Sequence, residues 1–153
     1  MLAERVAQLN AAYARAIDDD RLEQWPEFFT DPCLYKITSA DNYRRGHEAG
    51  IVYADTRGML QDRVAALREA NIYERQVYRH LVGLPAISPG DDGVVRAETP
   101  FLVVRVMRDG TMDLFATGRY VDTMVEDGGA LRFRERLVVC DSSRVDTLLA
   151  IPL

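Results

Sequence analysis

From residue 74 onward the hydrophobic period of this chain is two. Alternating runs at about 74–84, 94–107, 112–124 and 131–140 are separated only by Pro85–Gly93, by Arg108-Asp109-Gly110 and by Glu126–Gly129. Alternation puts successive side chains on opposite faces of a strand, and strands joined by short turns pair with their sequence neighbours. This half therefore predicts an antiparallel meander, with Asp109-Gly110 as a type I′ hairpin. Runs of about 10–14 residues are roughly twice the usual strand length, so the sheet must twist and curl. Pro100 and Gly118 fall inside the second and third of these runs, where a strand can bulge or bend.

The first half has a different period. Leu2, Val6, Leu9, Tyr13, Ala16 and Ile17 recur at spacings of three and four, the stripe of an amphipathic helix over about 2–17. Asp18-Asp19-Asp20 breaks the stripe and reads as a solvated helix junction rather than a metal site. Asp20 with Glu23 suggests a capping box for a second helix, kept short by Pro26, with Leu22, Trp25, Phe28 and Phe29 on its apolar face. Trp25 is the expected core anchor. Cys33, Tyr35 and Ile37 alternate as a short strand, residues 40–55 with Gly46 and Gly50 read as a long loop, and a third helix is expected over about 56–69. Helices ahead of a curled sheet give an α+β class, a cone-shaped antiparallel sheet wrapped around N-terminal helices. The expectation is a single domain, 1–153.

Composition narrows the chemistry. The net charge is −5, and no basic run exceeds Arg44-Arg45, so nucleic acid is an unsuitable partner. No run approaches the ~20 apolar residues of a membrane span, and the first residues lack the pattern of a secretory signal, so a cytoplasmic location is expected. Cys33 and Cys140 would then remain thiols. The only histidines, His47 and His80, lie at no metal-ligand spacing with each other or with cysteine, and no nucleotide loop or nucleophile elbow is present. No metal, cofactor or catalytic centre can be read in this chain.

Three groups of residues remain. Alternation puts Tyr78 and His80 on one strand face with Val82 and Leu84; facing inward, they could supply a general base with a hydrogen-bonding acid, or His80 could simply brace the backbone. His47 is expected on the surface. Arg132, Arg134 and Arg136 share one face of the last strand, where like charges at two-residue spacing repel unless paired. Either they lie on a solvated face beside carboxylates, with Asp113 a candidate, or they meet a partner that carries carboxylates. The apolar segment ending Ile151-Pro152-Leu153 should pack on the domain or on another chain.

The residues also carry a resemblance. Glu23-Gln24-Trp25-Pro26-Glu27-Phe28-Phe29, the run from Ala66 to Arg75 leading to Tyr78-Arg79-His80, and Val139-Cys140-Asp141-Ser142-Ser143 through Leu148 resemble the small (β) subunits of aromatic-ring-hydroxylating dioxygenases. Arg68-Glu69-Ala70-Asn71-Ile72-Tyr73-Glu74-Arg75 is closest to the terephthalate-type branch. The resemblance implies the cone shared with nuclear transport factor 2 (an NTF2-like, cystatin-like fold), in a bacterial pathway of aromatic catabolism. It implies a Rieske [2Fe–2S] cluster and a mononuclear Fe(II) in a partner large (α) subunit, none in this chain, and a β trimer within an α3β3 assembly. The function it implies is non-catalytic support of α subunits that cis-dihydroxylate a terephthalate-like aromatic carboxylate. The alternative is a stand-alone NTF2-like isomerase, dehydratase or binding protein using Tyr78 and His80.

Overall fold

A computed structural model describes residues 1–46, 50–70, 76–90, 92–142 and 151–153. Helix α1 (Leu2–Asp18) lays Val6, Asn10, Tyr13, Ala14 and Ile17 against a seven-stranded sheet. A 3₁₀ helix (Leu22–Phe28) follows, and then β1 (Phe29–Ser39), α2 (Ala40–Arg44), β2 (Val52–Ala54) and α3 (Arg57–Glu69). The second half is β3 (Gln76–Val82), β4 (Ala86–Pro89), β5 (Val95–Met107), β6 (Met112–Asp127) and β7 (Ala130–Cys140). The sheet order is β2-β1-β7-β6-β5-β3, with β4 sharing an edge of β5. The sheet curls around α1 as an open cone, the α+β architecture that the change of period implies.

Several local expectations give way to tertiary contacts. The loop expected over 40–55 contains α2, whose N-cap Ser39 accepts a hydrogen bond from the Asn42 amide, and β2, which pairs with β1. β4 lies in the segment read as a separator. β1 runs parallel to β7, so the sheet is not wholly antiparallel. Asp20 caps nothing: it takes a positive φ of 60°, and its carboxylate and that of Glu23 both accept from the Arg68 guanidinium of α3 at 2.8 Å. The Asp109-Gly110 turn is not type I′, because only Gly110 has positive φ. The Gly110 amide donates to the Met107 carbonyl and the Met107 amide to the Thr111 carbonyl, a three-residue hairpin that ends on a left-handed glycine.

The bends also fall elsewhere. β5 and β6 slip register between Val103 and Val104, which leaves Phe115 as the extra residue, and β6 and β7 slip where Thr123 faces Glu135 but Met124 faces Phe133, which leaves Arg134 extra. Gly118 serves close approach instead: a Cβ there would sit 2.0 Å from the Val139 carbonyl oxygen.

Candidate functional site

The bulge at Arg134 decides where the arginines go. One extra residue reverses the faces beyond it, so Phe133 and Arg136 both point into the cone while Arg134 is exposed. Arg136 is fully buried, which removes it from the shared surface that unbroken alternation gives it with Arg132 and Arg134. It lies directly across from Asp122, with Nε and Nη2 each donating to a different carboxylate oxygen at 2.8 Å. Nη2 also donates to Asn10 Oδ1 on α1, and the guanidinium carbon lies 3.7 Å from the Tyr120 ring centroid. Burial alone would lower the Arg136 pKa; the Asp122 carboxylate outweighs it and holds the pKa above its ordinary value. Asp113 is not the partner of this group, since it pairs with Arg105 at 3.1 Å. Arg132 is half-buried, donates to the Glu27 carbonyl and pairs with Asp127.

Trp25, fully buried, packs edge-on to Tyr35 with ring centroids 5.0 Å apart, and its Nε1 donates to the Tyr13 hydroxyl at 3.1 Å. Tyr13 in turn donates to the Leu153 carbonyl oxygen at 2.7 Å, and Tyr35 reaches the same oxygen at 3.1 Å. Ile151, Pro152 and Leu153 are therefore buried within their own chain rather than presented as a surface for another. Burial pushes the pKa of both tyrosines up, so both act as neutral donors.

Tyr78 and His80 face inward as neighbours, ring centroids 6.3 Å apart. Asp18, the last residue of α1, accepts from both the His80 ring and its backbone: Oδ1 lies 2.6 Å from Nδ1, and Oδ2 takes the amide at 2.9 Å. This fixes Nδ1 as the proton-bearing nitrogen. Nε2 has no hydrogen-bond partner among the described residues, and the side chain is 0% exposed. A cavity of about 530 Å³ opens beside it, lined by Asp18, Asp20, Arg68, Gln76, Tyr78 and Ile151 among others, but the His80 ring is not part of its wall. The dyad has the parts of a base and its orienting carboxylate, yet it is sealed, and its two bonds fasten the end of α1 to β3. The carboxylate at position 18 was hidden in the Asp triplet, which by sequence is only a helix end. His47 lies outside the described residues.

Among the described residues no group of three or more His, Cys, Asp or Glu side chains is placed to hold a metal ion. Cys33 and Cys140 are free thiols, both buried, and burial pushes each pKa up to about 11. No helix among the described residues is long and apolar enough to cross a membrane.

A curled sheet around an amphipathic helix, with a braced histidine and an arginine locked in its core, defines a cone protein of the NTF2-like type. Residues 12–147 match the family model described as ring hydroxylating beta subunit. A terephthalate 1,2-dioxygenase terminal oxygenase component subunit beta of Comamonas sp is 52% identical over 97% of both chains. The anthranilate 1,2-dioxygenase small subunit of Burkholderia cepacia is 40% identical over 97% of this chain and 92% of its own. A crystal structure assigned as the β subunit of an aromatic-ring-hydroxylating dioxygenase from Novosphingobium aromaticivorans superimposes with a TM-score of 0.91 at 39% identity, covering 99% of this chain and 97% of that one. The chain belongs to the β-subunit family of aromatic-ring-hydroxylating dioxygenases.

Proposed function

We propose that this chain is a single-domain cytoplasmic scaffold that assembles iron-bearing α subunits and leaves the chemistry to them. The observation that carries this reading is the 52% identity, across nearly all of both chains, to a subunit named as part of a terminal oxygenase component. The donor set agrees with it. A Rieske centre takes two cysteines and two histidines, whereas here both thiols are buried and His80 is committed to Asp18. Membership of the β-subunit family supports assigning the Rieske cluster and mononuclear iron to a partner α subunit. Terephthalate and anthranilate, the substrates in two relatives' names, are both aromatic carboxylates, so a terephthalate-like carboxylate is the proposed substrate class of the assembly.

Assembly requires surface. On β3 the residues that alternate with Tyr78 and His80 face outward, and Val77 and Leu81 are 47% and 58% exposed; on β6, Met112 and Leu114 are 71% and 64% exposed. These strands flank β5, so their apolar groups share the outer face of one sheet. An apolar sheet face of this kind suits burial against other subunits. We assign it to the β trimer of an α3β3 assembly, with exposed Arg134 and half-buried Arg132 offering cations to carboxylates of a neighbour. Co-expression with an α subunit tests the reading. A stable complex whose oxygenation of an aromatic carboxylate depends on this chain supports it; an α subunit equally assembled and active without the chain overturns it.

A further inference from the structure

The strands that end the sheet, β2 and β3, are each bonded on one side only, β2 to β1 and β3 to β5. Five inter-strand spacings separate them, roughly 24 Å around the curl. Both turn their buried residues into the cone, Val52 and Ala54 on β2 and Tyr78 and His80 on β3. Their outward residues follow one pattern. β3 presents Val77, Arg79 and Leu81, and β2 with its two flanking residues presents Ile51, Tyr53 and Asp55, all six exposed. Four of the six are large hydrophobic side chains, and an open strand edge carrying such groups invites pairing with another chain unless something covers it.

The charges on the two patches are opposite. Arg79 lies across from Val104 with Val77 and Leu81 on either side, and among the described residues no carboxylate pairs with it. Asp55 accepts from the Tyr53 hydroxyl at 3.4 Å, and among the described residues no cation pairs with it. A two-fold contact sets a patch on its own copy, which would bring Arg79 against Arg79 or Asp55 against Asp55. A closed ring of three sets each patch on the other one, head to tail, and brings the unlike charges together.

We propose that β3 of one copy of this chain packs on β2 of the next, Val77 and Leu81 against Ile51 and Tyr53 with Arg79 paired to Asp55, and that three such contacts close the β ring. This rests on the trimer assigned above and names the surface that meets the apolar outer face of β3.

Charge reversal in the chain purified with its α subunit tests the contact. Arg79→Glu or Asp55→Arg alone sets like charges together. Either should raise the concentration at which the complex half-dissociates, followed by light scattering on dilution, at least about tenfold. The two changes in one chain restore the pair with its sign reversed and should return that concentration to within about threefold of the parent. Cross-linking reads the direction of the contact. Cys33 and Cys140 are buried, so the thiols introduced by Leu81→Cys and Tyr53→Cys are the ones open to mild oxidation. A chain with both changes should give covalent species of up to three chains, and either change alone should give none. Dimers from Leu81→Cys alone would set β3 on its own copy and overturn the head-to-tail contact. Single reversals without effect, or a double reversal no better than the single ones, overturn it too. These failures leave the support reading standing wherever oxygenation still depends on the chain, whereas a complex with one copy of the chain overturns the trimer as well.

Discussion

Arg136 and Asp122 show how much one side chain can decide inside the cone. A buried bidentate pair is tolerated because Nε and Nη2 of Arg136 donate to Asp122 and Asn10 and three aromatic rings lie against the guanidinium, although Nη1 has no hydrogen-bond partner among the described residues; breaking one half leaves an uncompensated charge. Asp122→Ala should therefore destabilise the chain by about 3–5 kcal/mol in denaturant unfolding, whereas the double change Asp122→Leu with Arg136→Met should recover most of that loss. A single variant as stable as the parent would mean that water reaches Arg136. Trp25→Ala removes a ring packed on Tyr35 and Phe29 together with the donor that orients Tyr13. It should cost about 3–5 kcal/mol, and a loss under about 1 kcal/mol would contradict the packing described. The thiols give a third check. With both pKa values pushed by burial up to about 11, neither Cys33 nor Cys140 should react with a thiol reagent at pH 8 until the chain unfolds.

At the scale of elements, α3 is tied to the 3₁₀ helix by one guanidinium. Arg68 meets Glu23 through Nε and Nη2 and Asp20 through Nη1, all within 2.9 Å. Hydrogen bonds from Arg68 lower the Glu23 pKa from 4.5 to about 2. A depressed carboxylate contributes stability that is complete above its unfolded pKa and is lost as pH falls through the folded value. The contribution of Glu23 should thus fade between about pH 4.5 and 2. Because Glu23 is largely exposed, solvent screens the pair, and Glu23→Gln should cost only about 0.2–1 kcal/mol at neutral pH. The variant and parent should converge in stability near pH 2, and a gap that persists there would deny the pair its role. These contacts also explain what the sequence concealed. The period of two locates β3, β5, β6 and β7, although β3 is described for only 7 residues, and the period of 3.6 locates α1 and α3, because burial on one face leaves a local imprint. An Asp20 cap is what local sequence suggests, and a long-range arginine overrides it. The bulge at Arg134 leaves no local mark, since Arg132-Phe133-Arg134-Glu135-Arg136 alternates just as well without it, and sequence alone therefore groups Arg136 with Arg132 and Arg134.

For the whole molecule, the family was legible in the Trp25 motif and the strand carrying His80, while the geometry of the inward face was not. Tyr78 and His80 were read as neighbours, but the carboxylate that engages His80 comes from Asp18, 62 residues away in sequence. That pairing shows the histidine as a brace between α1 and β3 rather than an open base. On the proposed reading, this chain supports oxygenation without performing it. A general base is worth roughly 10²–10⁴ in rate, so the direct measurement is turnover per iron-loaded complex of His80→Ala, purified with its α subunit, against an aromatic carboxylate. Expected is weaker assembly or a lower melting point, with turnover per intact complex within about tenfold of the parent. Conversion of a small substrate by the isolated chain, abolished in a folded His80→Ala variant, would contradict it.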